Sequence, residues 1–379
     1  MPALPAHELR SDFLLDPDVA FLNHGSFGAC PRPVFESYQA HQRALEWEPI
    51  DFLDRRLPAL LAAARAELAR YLNGPASDIA FVTNATTGVN LAARSLDLRP
   101  GNEILTTDLE YGACDLAWEW LCRRTGAAYV RAPIPLPLDS PAQLVEALFA
   151  CVSDRTRVVY VSHITSATAL ILPVQDIVTR ARDLGLVTIV DGAHAPAHVP
   201  VDIDALGADF YAGNAHKWLM APKGAGFLHA RPEHHERVDA ATVSWGYAEG
   251  CGFQERIEMQ GTRDPAAWLA VPDAIGYQAE RDWNAVRERC RALVREARAE
   301  LCGLLGTKPL APEEMLGQMA SVLLPRPDPE LRDRLFVNHR VEIPVAGPNH
   351  DLLRISAAAY TTRDDVDRLL AALARELDA

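Results

Sequence analysis

Residues 186–193 read LVTIVDGA, a short apolar run that stops on the carboxylate of Asp191. A run of this length and composition predicts a strand buried on both faces. Its neighbours repeat the pattern: RVVYVSHI (157–164) precedes it, and a helical segment, PVQDIVTRARDLG (173–185), fills the interval. Further back, DIAFVT (78–83) leads into a helix over 88–95, and NEILTTD (102–108) leads into ACDLAWEWLCRRTG (113–126). Apolar strands separated by helices predict an α/β fold whose mostly parallel, doubly wound sheet is covered on both faces.

From about residue 260 the rhythm changes. Asp264 and Pro265 form an N-cap and first-turn signal ahead of a long charged amphipathic stretch that runs to RERCRALVREARAELCGLLG (287–306). Strand-like MASVLLP (319–325), RVEIPV (340–345) and LLRISAA (352–358) follow, and a last helix opens on Thr362-x-x-Asp365. The expected organisation is an N-terminal segment (1–20), a large α/β domain (21–260) and a smaller C-terminal α+β domain (261–379). Pro-rich RAPIPLPLDSP (131–141) reads as a loop between a strand and a helix.

Composition narrows the function. The 379 residues are 49% apolar and 23% charged, with a net charge of −14 and no basic run, which argues against nucleic acid or an anionic membrane as partner. Seven scattered cysteines without a C-x-x-C pair indicate neither a disulfide framework nor a zinc ribbon, and they fit a reducing cytoplasm. The first residues lack a basic region followed by an apolar one, and no later stretch has the apolar length of a membrane span, so a cytoplasmic protein is expected.

The stretch GNAHKWLMAPKGAG (213–226) holds Lys217 and Lys223, two of only three lysines in the chain. In a doubly wound sheet, ligands collect at the carboxyl ends of the strands. Asp191 ends one strand, where a buried carboxylate needs a cationic partner. FVTNATTGVN (81–90) puts Asn84, Thr86, Thr87 and Gly88 between a strand and a helix, a turn whose N–H groups suit a phosphate, although the Gly-Lys-Thr ending of a Walker loop is missing. Lys217 follows Asn214 and His216 in a polar loop. Pyridoxal phosphate accounts for all three features, because it needs a lysine for its Schiff base, a carboxylate for its pyridinium nitrogen and an anion nest for its phosphate. A metal site built on Asp191, His194 and His198 is disfavoured for want of a shared helix face, and one on EHHER (233–237) because that stretch reads as a charged, solvated connection. KGAGF (223–227) precedes a strand, whereas a dinucleotide loop would follow one. Lys223 is read as structural.

The ordered motifs TNATTG, DGAHA and GNAHKW resemble the class V aminotransferase family of fold-type I pyridoxal phosphate enzymes, and FLNHGSFGACPRP (21–33) is similar to its isopenicillin N epimerase branch. The resemblance covers nearly the whole chain. It implies that Lys217 is the Schiff-base lysine, Asp191 the pyridinium partner and His194 the group beside the ring hydroxyl. Ala85, Thr86 and Thr87 would form the phosphate cup, completed by Asn214 and His216. Tyr111 would stack on the cofactor, Thr262 would reach the phosphate of a neighbouring subunit in a homodimer, and Arg354 would fork onto a substrate α-carboxylate. Asn23 and His24 would lie at the substrate mouth. The implied activity is at the Cα of an amino acid or amino-acid-bearing metabolite, with epimerisation ahead of C–S lyase or aminotransferase chemistry, and a metal-dependent hydrolase as the rival from another class. Family desulfurases carry a nucleophilic cysteine shortly before the arginine; no cysteine lies in 303–379, which argues against persulfide formation.

Overall fold

A computed structural model describes residues 5–377. Seven strands form the central sheet: β1 (Ile79–Val82), β2 (Glu103–Thr107), β3 (Ala128–Ala132), β4 (Thr156–Ser162), β5 (Val187–Gly192), β6 (Phe210–Asn214) and β7 (Gly226–Ala230). Their order is β1-β7-β6-β5-β4-β2-β3. The pairings among β2 to β6 are parallel, whereas β7 runs antiparallel to both β6 and β1. The reversal has a local cause: no helix intervenes between β6 and β7, so the chain folds straight back. The loop that makes this turn carries Lys217.

Successive residues of the strands serve two cores, as the twofold period of a strand requires. Ala80, Val82, Ile104, Tyr160 and Ile189 pack beneath helices α1 (Ala85–Arg94) and α2 (Gly112–Thr125). Phe81, Leu105, Val159, Val161 and Val190 face the other side, toward α3 (Val174–Asp183). Helix α1 begins at Ala85, earlier than its sequence pattern suggests, because the Asn84 side chain accepts the Thr87 N–H at 2.8 Å and caps it.

The long C-terminal amphipathic stretch is three helices, Ala266–Leu269, Val271–Ala279 and α4 (Trp283–Leu305). Asp264 does accept the Ala266 N–H at 2.8 Å, but Pro272 cannot donate back into the preceding turn, and Asp282, at φ 42°, starts α4 afresh. RVEIPV likewise splits around Pro344: Val341–Glu342 pairs in parallel with Ala20–Phe21, and β9 (Val345–Ala346) joins β8 (Met319–Leu323) and β10 (Leu352–Ser356) in an antiparallel sheet of order β9-β10-β8. Helix α5 (Arg363–Leu377) opens on reciprocal bonds between Thr362 and Asp365. Among the described residues, no helix is long and apolar enough to cross a membrane.

One buried ion pair closes the sheet edge at β1. Arg65 donates to both Glu258 oxygens at 2.8 and 2.6 Å, and Glu258 also accepts the Phe81 N–H. Replacing Arg65 with Met leaves the carboxylate buried and unpaired, so urea unfolding should show a loss of about 3–5 kcal/mol near neutral pH. Such a carboxyl is raised further in the folded state, hence the loss should shrink as pH falls through its folded value. A loss that stays constant down to pH 4 would contradict this account.

Candidate active site

At the carboxyl ends of β4, β5 and β6, the loops enclose a cavity of about 340 Å³. Asp191, His194, Asn214, His216, Lys217 and Tyr111 all line it, together with Asn84 and Thr86 at the start of α1. The sheet order explains the convergence: β6 supplies Lys217 and β5 supplies Asp191, while β2, two strands further along, supplies Tyr111.

Asp191 is 3% exposed. One oxygen accepts the Ala193 N–H at 2.9 Å, and the other has only the Cys114 thiol at 3.6 Å and the Tyr160 hydroxyl at 3.4 Å. Burial raises the Asp191 carboxyl, which the Ala193 N–H and the Lys217 charge oppose. A protonated ring nitrogen would give this oxygen the short charged donor it lacks.

Lys217 Nζ lies 3.1 Å from His194 Nε2, and His194 Nδ1 is 3.3 Å from the Trp218 indole nitrogen. Indole can only donate, so Nδ1 accepts and the imidazole proton sits on Nε2. That N–H then points at the lysine nitrogen, a geometry that favours a neutral amine. Burial, and then the Arg354 charge, lower the Lys217 amine to about 8, and burial lowers His194 well below its ordinary range. The lysine is thus a nucleophile near neutral pH.

The start of α1 offers fewer donors than the sequence suggests. Asn214 Oδ1 takes the Ala85 N–H at 2.8 Å, and Asn84 takes that of Thr87. Among the described residues, the Thr86 N–H has no partner. His216 Nδ1 donates to the Ala225 carbonyl at 2.9 Å, which leaves Nε2 as its remaining polar atom. Lys223, read from sequence as structural, lines the same cavity. Together, the Thr86 N–H, the start of a helix and two nearby basic side chains suit a phosphate.

Arg354, on β10, is 3% exposed and has no carboxylate within ion-pair distance among the described residues. It donates to the Ser166 carbonyl at 2.7 Å and to Ser26 Oγ at 2.9 Å, with Asn23 Oδ1 at 3.5 Å; its Nε is buried without a partner. Burial lowers this guanidinium to about 10. A buried arginine held only by neutral oxygens is suited to a carboxylate.

Two expectations need correction. His24 is fully buried, bonded at Nδ1 to the Tyr360 hydroxyl at 2.8 Å and at Nε2 to the Lys217 carbonyl at 3.1 Å, so it stands behind the lysine instead of at a mouth. Asn23 sits behind Ser26, accepting its hydroxyl at 2.5 Å and donating to Glu342 at 2.9 Å. Thr262 is exposed and does not line its own chain's cavity. The triad Asp191, His194 and His198 does not converge, because His198 Nε2 accepts the Gln318 N–H at 2.6 Å. Sequence reading missed Ser26, Ser162 and Ser166; the last two follow the strand RVVYVS, where the strand-end rule could have found them.

These residues fit pyridoxal phosphate, and comparison with known proteins agrees. Residues 50–369 match the family described as Aminotransferase class-V. The isopenicillin N epimerase of Streptomyces clavuligerus is 42% identical, with 97% of each chain covered, and that of Amycolatopsis lactamdurans is 40% identical over 96% of each. The cysteine desulfurase CsdA of Escherichia coli superposes with a TM-score of 0.83 over 99% of both chains at 24% identity.

The Lys217 environment can be titrated. In cofactor-free protein, pH-dependent trinitrobenzenesulfonate labelling with peptide mapping should place the Lys217 midpoint at about 8, and Arg354→Met should move it upward. A wild-type midpoint in the ordinary lysine range would refute the neutral-amine geometry.

Proposed function

The chain belongs to the class V aminotransferase family and takes pyridoxal phosphate as cofactor, and from that premise we propose that it inverts the Cα centre of an amino acid or amino-acid-bearing metabolite. The observation that carries the reading is one cavity lined by a lysine whose amine burial lowers to about 8, a buried carboxylate, and the two serines, Ser26 and Ser166, that accept from a buried arginine without a carboxylate partner among the described residues. The epimerase names of the relatives favour inversion over transamination or elimination. Thiol chemistry is disfavoured, since no cysteine lines the cavity and burial raises the thiol of Cys30, to about 12, and that of Cys114.

When bound, pyridoxal phosphate supplies a ring that accepts the electron pair released as a Cα bond breaks. In this reading Asp191 would hold the ring nitrogen and favour its protonated form, and His194 would serve the ring hydroxyl. The Thr86 N–H and hydroxyl and His216 would hold the phosphate, beside a helix start (Ala85, Thr87) that Asn214 and Asn84 cap. Lys217 would hold the cofactor through its amine and, once the substrate amine takes its place, would remove the Cα proton. Arg354, oriented by Ser166, Ser26 and Asn23, takes the α-carboxylate, and Tyr111 covers the ring.

Lys217→Ala should abolish turnover and cofactor trapping by borohydride while the far-ultraviolet circular dichroism is kept; trapping that maps to Lys223 or Lys308 would overturn the assignment. Arg354→Ala should lower kcat/KM for amino acids by about 10- to 100-fold, as expected for a charge-assisted pair of roughly 1.5–3 kcal/mol. Decarboxylated amines should react poorly with both proteins and equally so. If the amine suffers the same loss as the amino acid, Arg354 supports the fold and not the substrate.

A cytoplasmic homodimer completes the proposal. Trp47 and Trp245 are 90% and 80% exposed, extents that suit surfaces covered by a second subunit. Thr262 would then reach the partner's phosphate, and Thr262→Ala should raise the cofactor Kd about tenfold, roughly the value of one hydrogen bond. Sedimentation of a fully loaded, active monomer would refute the shared site.

A further inference from the structure

Inversion requires that a proton leave one face of Cα and return to the other, and Lys217 accounts for one face only. The second carrier must line the cavity and have a proton not already committed. The serines fail this requirement. Ser162 donates its hydroxyl to Glu110 at 2.6 Å and Ser26 donates to Asn23 at 2.5 Å, while Ser166, which accepts from Arg354 at 2.7 Å on its carbonyl and 3.3 Å on its hydroxyl, is an aliphatic alcohol and a far weaker acid than a phenol. His194 is bonded to Lys217 itself and so stands on the lysine side. His216 and Lys223 belong to the loop beside the start of α1, where His216 is tied to Ala225.

Tyr111 meets the requirement. Its phenol lines the cavity, takes no hydrogen bond from any described residue, and the side chain is 44% exposed, so it can exchange protons with water. The strand order β6-β5-β4-β2 brings Lys217 and Tyr111 in from opposite ends of the row, with Asp191 and Ser162 between them. The loop that carries Tyr111 is fixed by its neighbour Glu110, which accepts the Thr107 hydroxyl at 2.7 Å and the Ser162 N–H at 2.8 Å. Tyr111 also shares the cavity lining with Ser26 and Ser166, the two serines that accept from Arg354, so the phenol faces the same cavity as the docking point of an α-carboxylate, one bond from Cα.

Building on the Cα reading above, we propose that Tyr111 is the proton carrier on the face of Cα opposite Lys217. In one direction the Lys217 amine takes the Cα proton, the electron pair of the broken C–H bond passes into the bound cofactor, and the Tyr111 O–H gives its proton to Cα from the other face. The phenolate recovers a proton from water and the lysine releases its own. In the other direction the phenolate takes the proton and the Lys217 ammonium returns one. No redox partner is needed.

The test is Cα hydrogen exchange in D2O by the holoenzyme, followed by NMR for L- and D-alanine and L- and D-glutamate. The wild type should exchange both enantiomers. Tyr111→Phe keeps the ring and should keep the visible cofactor absorption. It should still exchange one enantiomer while exchange of the other falls by about 10²–10⁴, the usual contribution of a positioned acid or base. Three results would overturn the proposal: Tyr111→Phe exchanging both enantiomers, Tyr111→Phe losing both with its absorption unchanged, or a wild type that exchanges only one. A wild type that binds cofactor but exchanges neither sinks the Cα reading itself, and the proposal with it.

Discussion

Two cations border one site: Lys217, half-buried, lines the cavity, whose lining holds a single carboxylate, Asp191, and Arg354, buried, donates to Ser26 and Ser166 of that lining. Neither cation has a carboxylate within ion-pair distance among the described residues. An isolated buried charge is costly, so each is held by means short of a counterion. Lys217 sheds its charge toward neutral pH, assisted by the His194 N–H. Arg354 keeps its charge, shared among the oxygens of Ser166, Ser26 and Asn23. A site in excess of positive charge is complementary to anions. A phosphate and an α-carboxylate are the two that the proposed chemistry brings.

The N-terminal loop makes that arrangement possible. His24 Nε2 donates to the Lys217 carbonyl from one side of the lysine. Gly28, at φ +72°, lies so close that a Cβ there would sit 2.2 Å from the His216 carbonyl and 2.9 Å from Lys217 Cα. Ser26 and Asn23, between them, hold the guanidinium of Arg354. Residues 23–28 thus span the interval between the two cations, and their strand, Ala20–Phe21, is anchored on Val341–Glu342 near β10. Movement of the C-terminal sheet would therefore be felt at the lysine loop through this segment.

This division explains what could be read from sequence. The strands of the central sheet, the capping box at Thr362 and the residues that end the strands were legible because each depends on local periodicity or on chemistry within a few positions. The C-terminal breaks were half legible: Pro272 in the helical stretch and Pro344 in strand-like RVEIPV are visible punctuation, yet the unbroken amphipathic pattern around Pro272 hid the breaks between the helices. The true places of His24 and Asn23 were not legible at all. FLNHGSFG displays two polar residues beside a glycine, and only tertiary packing shows that His24 faces Trp218 and Tyr360 and that a neighbouring serine meets the arginine. The phosphate end misled in the opposite sense, because Asn84 and Asn214 look like ligands in sequence but use their carbonyl oxygens on the helix itself.

The same backbone superposes closely on a desulfurase, so the fold alone does not select the reaction. Selection rests on which side chains carry mobile protons or polarisable nucleophiles at the cavity wall. Here burial pushes Cys30 up to about 12, and Cys114 is directed at Asp191. A thiol so placed holds its proton and cannot attack sulfur. Burial instead brings the Lys217 amine down to about 8, and the solvent-exposed hydroxyl on the same lining is the phenol of Tyr111. A wall of that composition moves protons, and proton movement at Cα without a nucleophile, a leaving group or a second amine acceptor has inversion as its outcome.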